Sequence, residues 1–521
     1  MTGNKQDTAN TSLVLGKFIC KPVLLCGYSS LTTNKMKLIP AILFALAFLL
    51  FTSCGQAEKK NNTFEQVDNY LSELDKVGFY GSVLVDLNGE PILSKGYGFS
   101  NIDKQIKNSA ATIFDIGSLT KQFTASAILT LEMQGKLSTD DKISTYFENL
   151  PKDKERITIH DLLRHQSGLI SNVGNDFEKI SEAEFLDKVF SSKLLFETGT
   201  GFSYSNVGYS LLAIIIEKVS NQDYETYLYE NLWKPALMEM TGYTRPQFDT
   251  NLIAIGYHND NNIWGKPTDK EWDKTAPYWH LKGNGGVLST TEDLYKWHKC
   301  LMTELVLSKE AKQKLYHPKL RPEEIENSYY AFGWDISQTN RNTTQVWHNG
   351  TNRIMYADFL RYIDEKVTLI MLSNKSHTNF NNLNFELAKI IFNPTYKPEI
   401  PIADNEENRT FTNRIIKAIE EDGLEKAKKD YNKKEKTEQL LEFLMRDEGF
   451  YRIDNGKPEI AIQIFEMNVF AYPESAKALQ GLGEGYMETG NKELALKYFR
   501  KSLQINPDSR FVNEIIKKHE K

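Results

Sequence analysis

Two hairpin-like stretches, far apart in the chain, constrain the fold more than any other feature. Ser82–Leu87 and Pro91–Gly96 flank Asn88-Gly89, a turn pair in which both residues tolerate positive φ. Arg353–Tyr362 and Lys366–Ser373 flank Ile363-Asp364-Glu365 as a second hairpin, and a further strand is expected over Tyr330–Ile336, where aromatics alternate. The chain between them is helical in pattern over Ser118–Gln134, Ile159–His165, Gly208–Val219 and Tyr224–Leu232. A helix is also expected ahead of them, at Phe64–Val77, where Val67, Tyr70, Leu71 and Leu74 share one face. Hairpins so distant in sequence can meet in one antiparallel sheet flanked by helices, an α/β (α+β) arrangement.

The tail follows a different rule. Gly456, Ala461, Phe465 and Pro473 recur as Gly490, Ala495, Phe499 and Pro507, each 34 residues on. That period resembles the tetratricopeptide repeat, a helix–turn–helix in which a small Ala lets two helices approach. Two units are visible, at 442–475 and 476–509, and 411–441 is expected to add a degenerate one, because a stable stack usually needs about three. Residues 393–410, rich in Pro and charge, read as a linker into this all-α part at 411–521. With 521 residues, two or three domains are expected.

At the other end, Met36-Lys37-Leu38 opens an apolar run from Ile39 to Phe51 that closes on Thr52-Ser53-Cys54. A short basic start, an apolar core and small residues before a break read as a secretory signal over 36–53. A Cys at that position resembles a bacterial lipoprotein box, so Cys54 is the expected lipidation site. Residues 1–35 are then an upstream extension, 54–63 a polar tether, and the expected location is the bacterial cell envelope, lipid-anchored at the membrane. Cleavage there would leave Cys300 without a partner, so a disulfide framework is not expected. A net charge of −6 argues against a nucleic-acid binder. No HExxH or paired CxxC signature appears, and neither metal nor cofactor is expected.

The chemistry begins at Asp115-Ile-Gly-Ser118-Leu-Thr-Lys121. At i and i+3 the Ser and Lys share a helix face. A Ser hydroxyl is a poor nucleophile until a base takes its proton, and a Lys serves as base only when burial or nearby cations lower its pKa. Taken alone, the pair is equally a capping Ser beside a solvated Lys. Further on, Tyr204 and Asn206 sit on the Gly-rich stretch 199–206 just ahead of a helix. Tyr-x-Asn recurs at Tyr229 and Tyr257, but only Tyr204 lies on a loop of the kind that presents side chains into a cleft. Val346 to Thr351, with His348, Asn349 and Gly350, ends a strand in a tight turn.

Ser-Leu-Thr-Lys, Tyr-Ser-Asn and His-Asn-Gly, in that order, resemble the serine β-lactamase and penicillin-binding-protein superfamily, in particular its class C-like branch of esterases, peptidases and β-lactamases. Leu162–Leu169, the block 202–243 and Gly285–Leu294 resemble framing segments of the same family, so the likeness covers about 64–392. It implies that Ser118 is acylated, that Lys121 shares its proton, and that Tyr204 acts as general base with its phenol acidified by the Lys. It further implies that Asn206 orients the substrate and that Gly350 leaves room for it beside the last strand. The N–H groups of Ser118 and Thr351 would form the oxyanion hole. His348 stands where typical β-lactamases carry Lys, which favours a peptidase or esterase over a dedicated β-lactamase. The expected function is extracytoplasmic hydrolysis of an amide or ester, with a small-molecule or peptide substrate and a protein partner for the repeats. The alternative is an inactive binding module working through those repeats. His160 and His165 are expected to be structural rather than metal ligands, and Trp264, Trp272, Tyr278 and Trp279 either line a cleft or fill a core.

Overall fold

The computed structural model describes residue 60 and residues 62–258, 262–270, 277–317, 328–377, 379–507 and 509–520. The expected extension, signal segment and Cys54, most of the tether, and Trp272 lie outside the described residues. Helix α1 spans 62–76, so it begins inside the expected tether, with Thr63 already buried.

Both hairpins lie in one seven-stranded sheet. Strands β1 (Gly81–Leu87) and β2 (Glu90–Tyr97) are joined by Asn88 and Gly89, with φ of 61° and 83°. Near the other end of the domain come β3 (Ser328–Tyr330), β4 (Asp335–Gln338), β5 (Thr344–Thr351), β6 (Tyr356–Tyr362) and β7 (Val367–Ser373). The spatial order is β2-β1-β7-β6-β5-β4-β3, with every pairing antiparallel. The first hairpin thus docks on the last strand, Gly81 facing Ser373 and Leu87 facing Val367.

Two expectations are corrected here. The single strand over Tyr330–Ile336 is two strands around a tight turn, in which Ala331 N–H donates to the Trp334 carbonyl at 2.8 Å. Gly333 makes that turn at φ 74°, where a Cβ would come within 2.8 Å of Gln122 N. The His-Asn-Gly triplet does not end its strand in a turn. It lies inside β5, and the chain turns only afterwards, at Asn352–Met355.

Each sheet face has its own core. On one side α1 and a later helix at Leu383–Phe392 bury Val67, Leu71, Leu74 and Leu387 against Leu360, Leu369 and Met371. On the other, α2 (Thr120–Met133) is buried at every position from Thr120 to Leu131. A helix buried all round must satisfy its polar groups internally. Thr124 Oγ1 accordingly lies 2.6 Å from Tyr224 Oη and donates to the Gly283 carbonyl, while Gln122 Oε1 accepts from Trp297 Nε1 at 2.8 Å. Helix α3 (Asn206–Ser220) packs beside α2 and is capped by Ser205, whose Oγ accepts from Gly208 N. Trp279 belongs to this core, with Trp264 and Tyr278 half-buried at its margin.

The expected linker is helical at its end. Asn405 caps a helix at Glu406–Asp422, and the Asp404 carboxylate sits between His377 (3.4 Å) and Arg409 (2.6 Å). Helices at Leu424–Tyr431, Glu442–Asp454, Pro458–Ala471, Ala476–Glu488 and Lys492–Ile505 follow as hairpins. The repeated residues have physical jobs. Gly456 and Gly490 turn the chain at φ 70° and 81°, and the rings of Phe465 and Phe499 occupy the space a Cβ would need at Gly449 and Gly483. Among the described residues no helix is long and apolar enough to cross a membrane.

Candidate active site

The expected site residues converge at the buried start of α2. The two-residue strand Phe114–Asp115 leads into a 3₁₀ turn, Gly117–Leu119, with Gly117 at φ 50°. That turn lies directly on β5. A Cβ at Gly117 would sit 2.4 Å from Thr351 N, and one at Gly350 would sit 2.0 Å from the Ile116 carbonyl and 2.7 Å from Ser118 N. Gly350 therefore makes room for the Ser118 turn itself, not for a ligand beside the last strand, and two further strands lie beyond β5. The same approach sets the peptide groups of Ser118 and Thr351 side by side.

Asp115 ties this turn to the next loop. Its Oδ1 accepts from Gly117 N and its Oδ2 from Asn352 Nδ2, both at 2.8 Å. The other end of the Asn352 amide accepts from the N–H groups of Ile354 and Met355. Full burial raises the Asp115 carboxyl to about 6, against the opposing pull of the Gly117 N–H and Asn352.

Lys121 is fully buried. Its Nζ lies 3.0 Å from Ser118 Oγ, 2.8 Å from Asn206 Oδ1 and 2.7 Å from the Asn284 carbonyl. Burial holds its pKa well below the ordinary lysine value, and the Asp176 carboxylate opposes that shift only in part. The Tyr204 ring centroid is 4.8 Å from Nζ and that of Tyr209 is 5.6 Å. Asn206, expected to orient substrate, is largely occupied by the protein: Oδ1 takes Lys121, and Nδ2 donates to Asn172 Oδ1 at 2.9 Å.

Tyr204 is held by ring contacts. Its centroid lies 4.2 Å from His165, 5.9 Å from Tyr330 and 6.3 Å from His348. His165, at φ 58°, accepts at Nδ1 from Ser205 N–H and so fixes the loop carrying Tyr204. His348 is 5% exposed, with Nδ1 2.5 Å from the Asn349 carbonyl and Nε2 2.9 Å from Tyr330 Oη. A carbonyl only accepts, so Nδ1 carries a proton, while Nε2 shares a hydrogen bond with the Tyr330 hydroxyl, which can donate or accept.

Sequence reasoning missed Asp115, Asn172, Asn284, Tyr330 and Asn352. Asp115 opens the quoted Asp115–Lys121 stretch without having been given a role, Asn352 follows Thr351, and Asn284 precedes the Gly285–Leu294 block. The contact made by Asn284 is a main-chain carbonyl, which carries no side-chain signature. Among the described residues no cluster of His, Cys, Asp and Glu could hold a metal ion.

A sequence model of the family described as Beta-lactamase matches residues 67–390, and one described as Tetratricopeptide repeat matches residues 476–509. The chain is 30% identical over 344 residues to Penicillin-binding protein 4* of Bacillus subtilis, covering 63% of this chain and 76% of that protein. It is 32% identical over 305 residues to Protein flp of Staphylococcus aureus, covering 56% and 59% respectively. Its structure is similar to that of the octameric penicillin-binding protein homologue from Pyrococcus abyssi, with a TM-score of 0.53, 26% identity, and coverage of 68% of this chain and 81% of that one. It is also similar to a penicillin binding protein from Bacillus halodurans, with a TM-score of 0.53, 25% identity, and coverage of 61% and 98%.

Proposed function

Because the chain belongs to the beta-lactamase family, with penicillin-binding-protein relatives and a tetratricopeptide repeat near its C-terminus, we propose that it is a serine hydrolase forming an acyl-enzyme at Ser118. The observation that carries this reading is the environment of Lys121. A neutral amine has two N–H bonds and one lone pair, and the Asn206 Oδ1 and Asn284 carbonyl can only accept. They take both N–H bonds, and the lone pair is left for the Ser118 O–H at 3.0 Å. Lys121 then removes the hydroxyl proton as Oγ attacks the substrate carbonyl. The N–H groups of Ser118 and Thr351 stabilise the oxyanion, and each such donor is typically worth about 3 kcal/mol. Tyr204, packed against His165 beside Lys121, acts as the second proton carrier, for the leaving group and for the water that deacylates the enzyme. A neutral Lys121 exerts no cationic pull on the Tyr204 phenol, so the acidified tyrosine expected from the resemblance is not part of this scheme.

The substrate is an amide or ester, of the class of D-amino-acid peptides, simple esters or β-lactams. With His348 in place of a Lys, that position of the site lacks a permanent cation for a β-lactam carboxylate, which favours the peptide or ester. The apolar run before Cys54 supports a lipid-anchored place in the cell envelope, and the helical repeats support a peptide or protein partner.

A fluorophosphonate or fluorescent penicillin followed by peptide mapping tests the mechanism. Label on Ser118, lost in Ser118→Ala, is expected. A folded protein that takes no label would leave only a binding module. Comparing nitrocefin, p-nitrophenyl esters and D-alanyl peptides then identifies the substrate class.

A further inference from the structure

A cavity of about 600 Å³ opens on the same sheet face as Ser118, toward the far end of β5. Its walls include Leu301, Met302, Ile336, Val346 and Ile363. Val346 and His348 are two residues apart on β5 and so share a face, about 7 Å apart along the strand. The volume falls within the roughly 300–1,000 Å³ range of small-molecule sites. Arg361 on β6 also lines this cavity, and it is only 1% exposed.

Arg361 is a buried charge that pairs with no carboxylate among the described residues. Its Nε donates to His298 Nδ1 at 3.0 Å, one terminal nitrogen donates to Tyr316 Oη at 2.6 Å, and the other lies 3.5 Å from Met302 Sδ. His298 is no counter-charge: burial, and then the guanidinium beside it, push its pKa down to about 2, so it stays a neutral acceptor. The acidic side chains of the 363–365 turn, whose Ile363 lines the cavity, are engaged elsewhere. Glu365 pairs with Arg341 and Thr343, and Asp364 accepts from Thr344 N. A guanidinium cannot shed its proton to relieve burial. Buried charges are otherwise paired in folded proteins.

We propose that this cavity is a second binding site, separate from Ser118, for an amphipathic carboxylate. The head group forms a forked ion pair with Arg361, and the apolar tail lies against Ile336, Val346 and Leu301. The neutral partners hold the guanidinium in place without cancelling its charge, and the apolar walls select a ligand with a hydrocarbon chain over a small free anion.

Calorimetry on the full chain with dodecanoate, below its micelle concentration, tests this. One site per chain is expected, with dodecanol and dodecyltrimethylammonium binding roughly tenfold or more weakly, since each lacks the charge-assisted bond. Arg361→Met should lower dodecanoate affinity by a similar factor. Ile336→Trp, which fills the cavity and keeps the arginine, should do so as well, and it decides the matter even where Arg361→Met fails to fold. Ser118→Ala should bind as the wild type does. Dodecanol binding as tightly as dodecanoate, no binding of dodecanoate, or full affinity in Ile336→Trp would overturn the proposal.

Discussion

Gly350→Ala puts the closest contact of the site to a quantitative test. The added methyl would lie 2.0 Å from the Ile116 carbonyl oxygen and 2.7 Å from Ser118 N, whereas real Cβ atoms essentially never come within 3.0 Å of such atoms. Either β5 or the nucleophile turn must therefore move by about 1 Å, the gap between 2.0 and 3.0 Å. Neither can yield easily. Ile116 N–H is bonded to the Val287 carbonyl, Gly117 N–H to Asp115, and β5 is paired on both sides. A misplacement of about 1 Å at a reacting atom costs on the order of 100-fold in rate. Overpacking costs roughly 1–3 kcal/mol in stability. Because the clash is steric, alanine adds no other chemistry. Stopped-flow acylation by a chromogenic ester, run beside denaturant unfolding, separates the two effects. Gly135→Ala is the control: φ there is +67° and nothing lies within 4 Å, so it should lose about 1 kcal/mol of stability and no acylation rate. Gly350→Ala acylating within about threefold of wild type, with unchanged stability, would refute the idea that the serine turn is seated on β5.

Lys121→Arg puts a permanent cation in place of the neutral base and should lower acylation by roughly 10²–10⁴-fold. In the wild type, the acylation rate should rise with pH along a limb well below the ordinary lysine range, and a limb at that ordinary range would contradict a neutral base. Asp358, fully buried on β6, has its carboxyl raised to about 7 by burial, against the Trp347 and Asn384 hydrogen bonds. Its folded pKa exceeds the unfolded one, so its contribution is fully present below pH ~4 and is lost as pH rises to ~7. Wild type should accordingly lose on the order of 4 kcal/mol relative to Asp358→Asn over that window, read by unfolding at each pH, and parallel curves would exclude the shift. In the helical repeats, Phe465→Ala should cost about 3–5 kcal/mol by denaturant unfolding, because the ring fills space left by Gly449 and Gly485.

These perturbations also show which parts of the molecule were legible in the sequence. Where a residue's backbone conformation is set by its own chemistry, the sequence carried the answer: Asn88-Gly89 is the hairpin turn expected of it, and Gly456 and Gly490 turn the repeats at positive φ. Where the cause is another segment approaching, it did not. Aromatic alternation over Tyr330–Ile336 is the same for one strand as for two, and only the contact of Gly333 with α2 explains the turn. Gly350 looks like a strand terminator until Ile116 and Ser118 are placed against it. The site divides in the same way. Ser118, Lys121, Tyr204, Asn206 and His348 were readable as side chains in order along the chain, and they do converge. The groups that decide what those side chains do were not readable. The Asn284 carbonyl takes an N–H of Lys121, Asn172 takes the amide that Asn206 was expected to offer a substrate, and the Asn349 carbonyl and Tyr330 hydroxyl hold the ring of His348. Most consequential is the burial of Lys121, since a Ser and a Lys on one face of a solvated helix would have the same spacing and no base. In the proposed mechanism, what makes the pair a nucleophile and its proton acceptor is an environment assembled from three distant segments: β5, the stretch from Tyr204 into the start of α3, and the chain at Asn284.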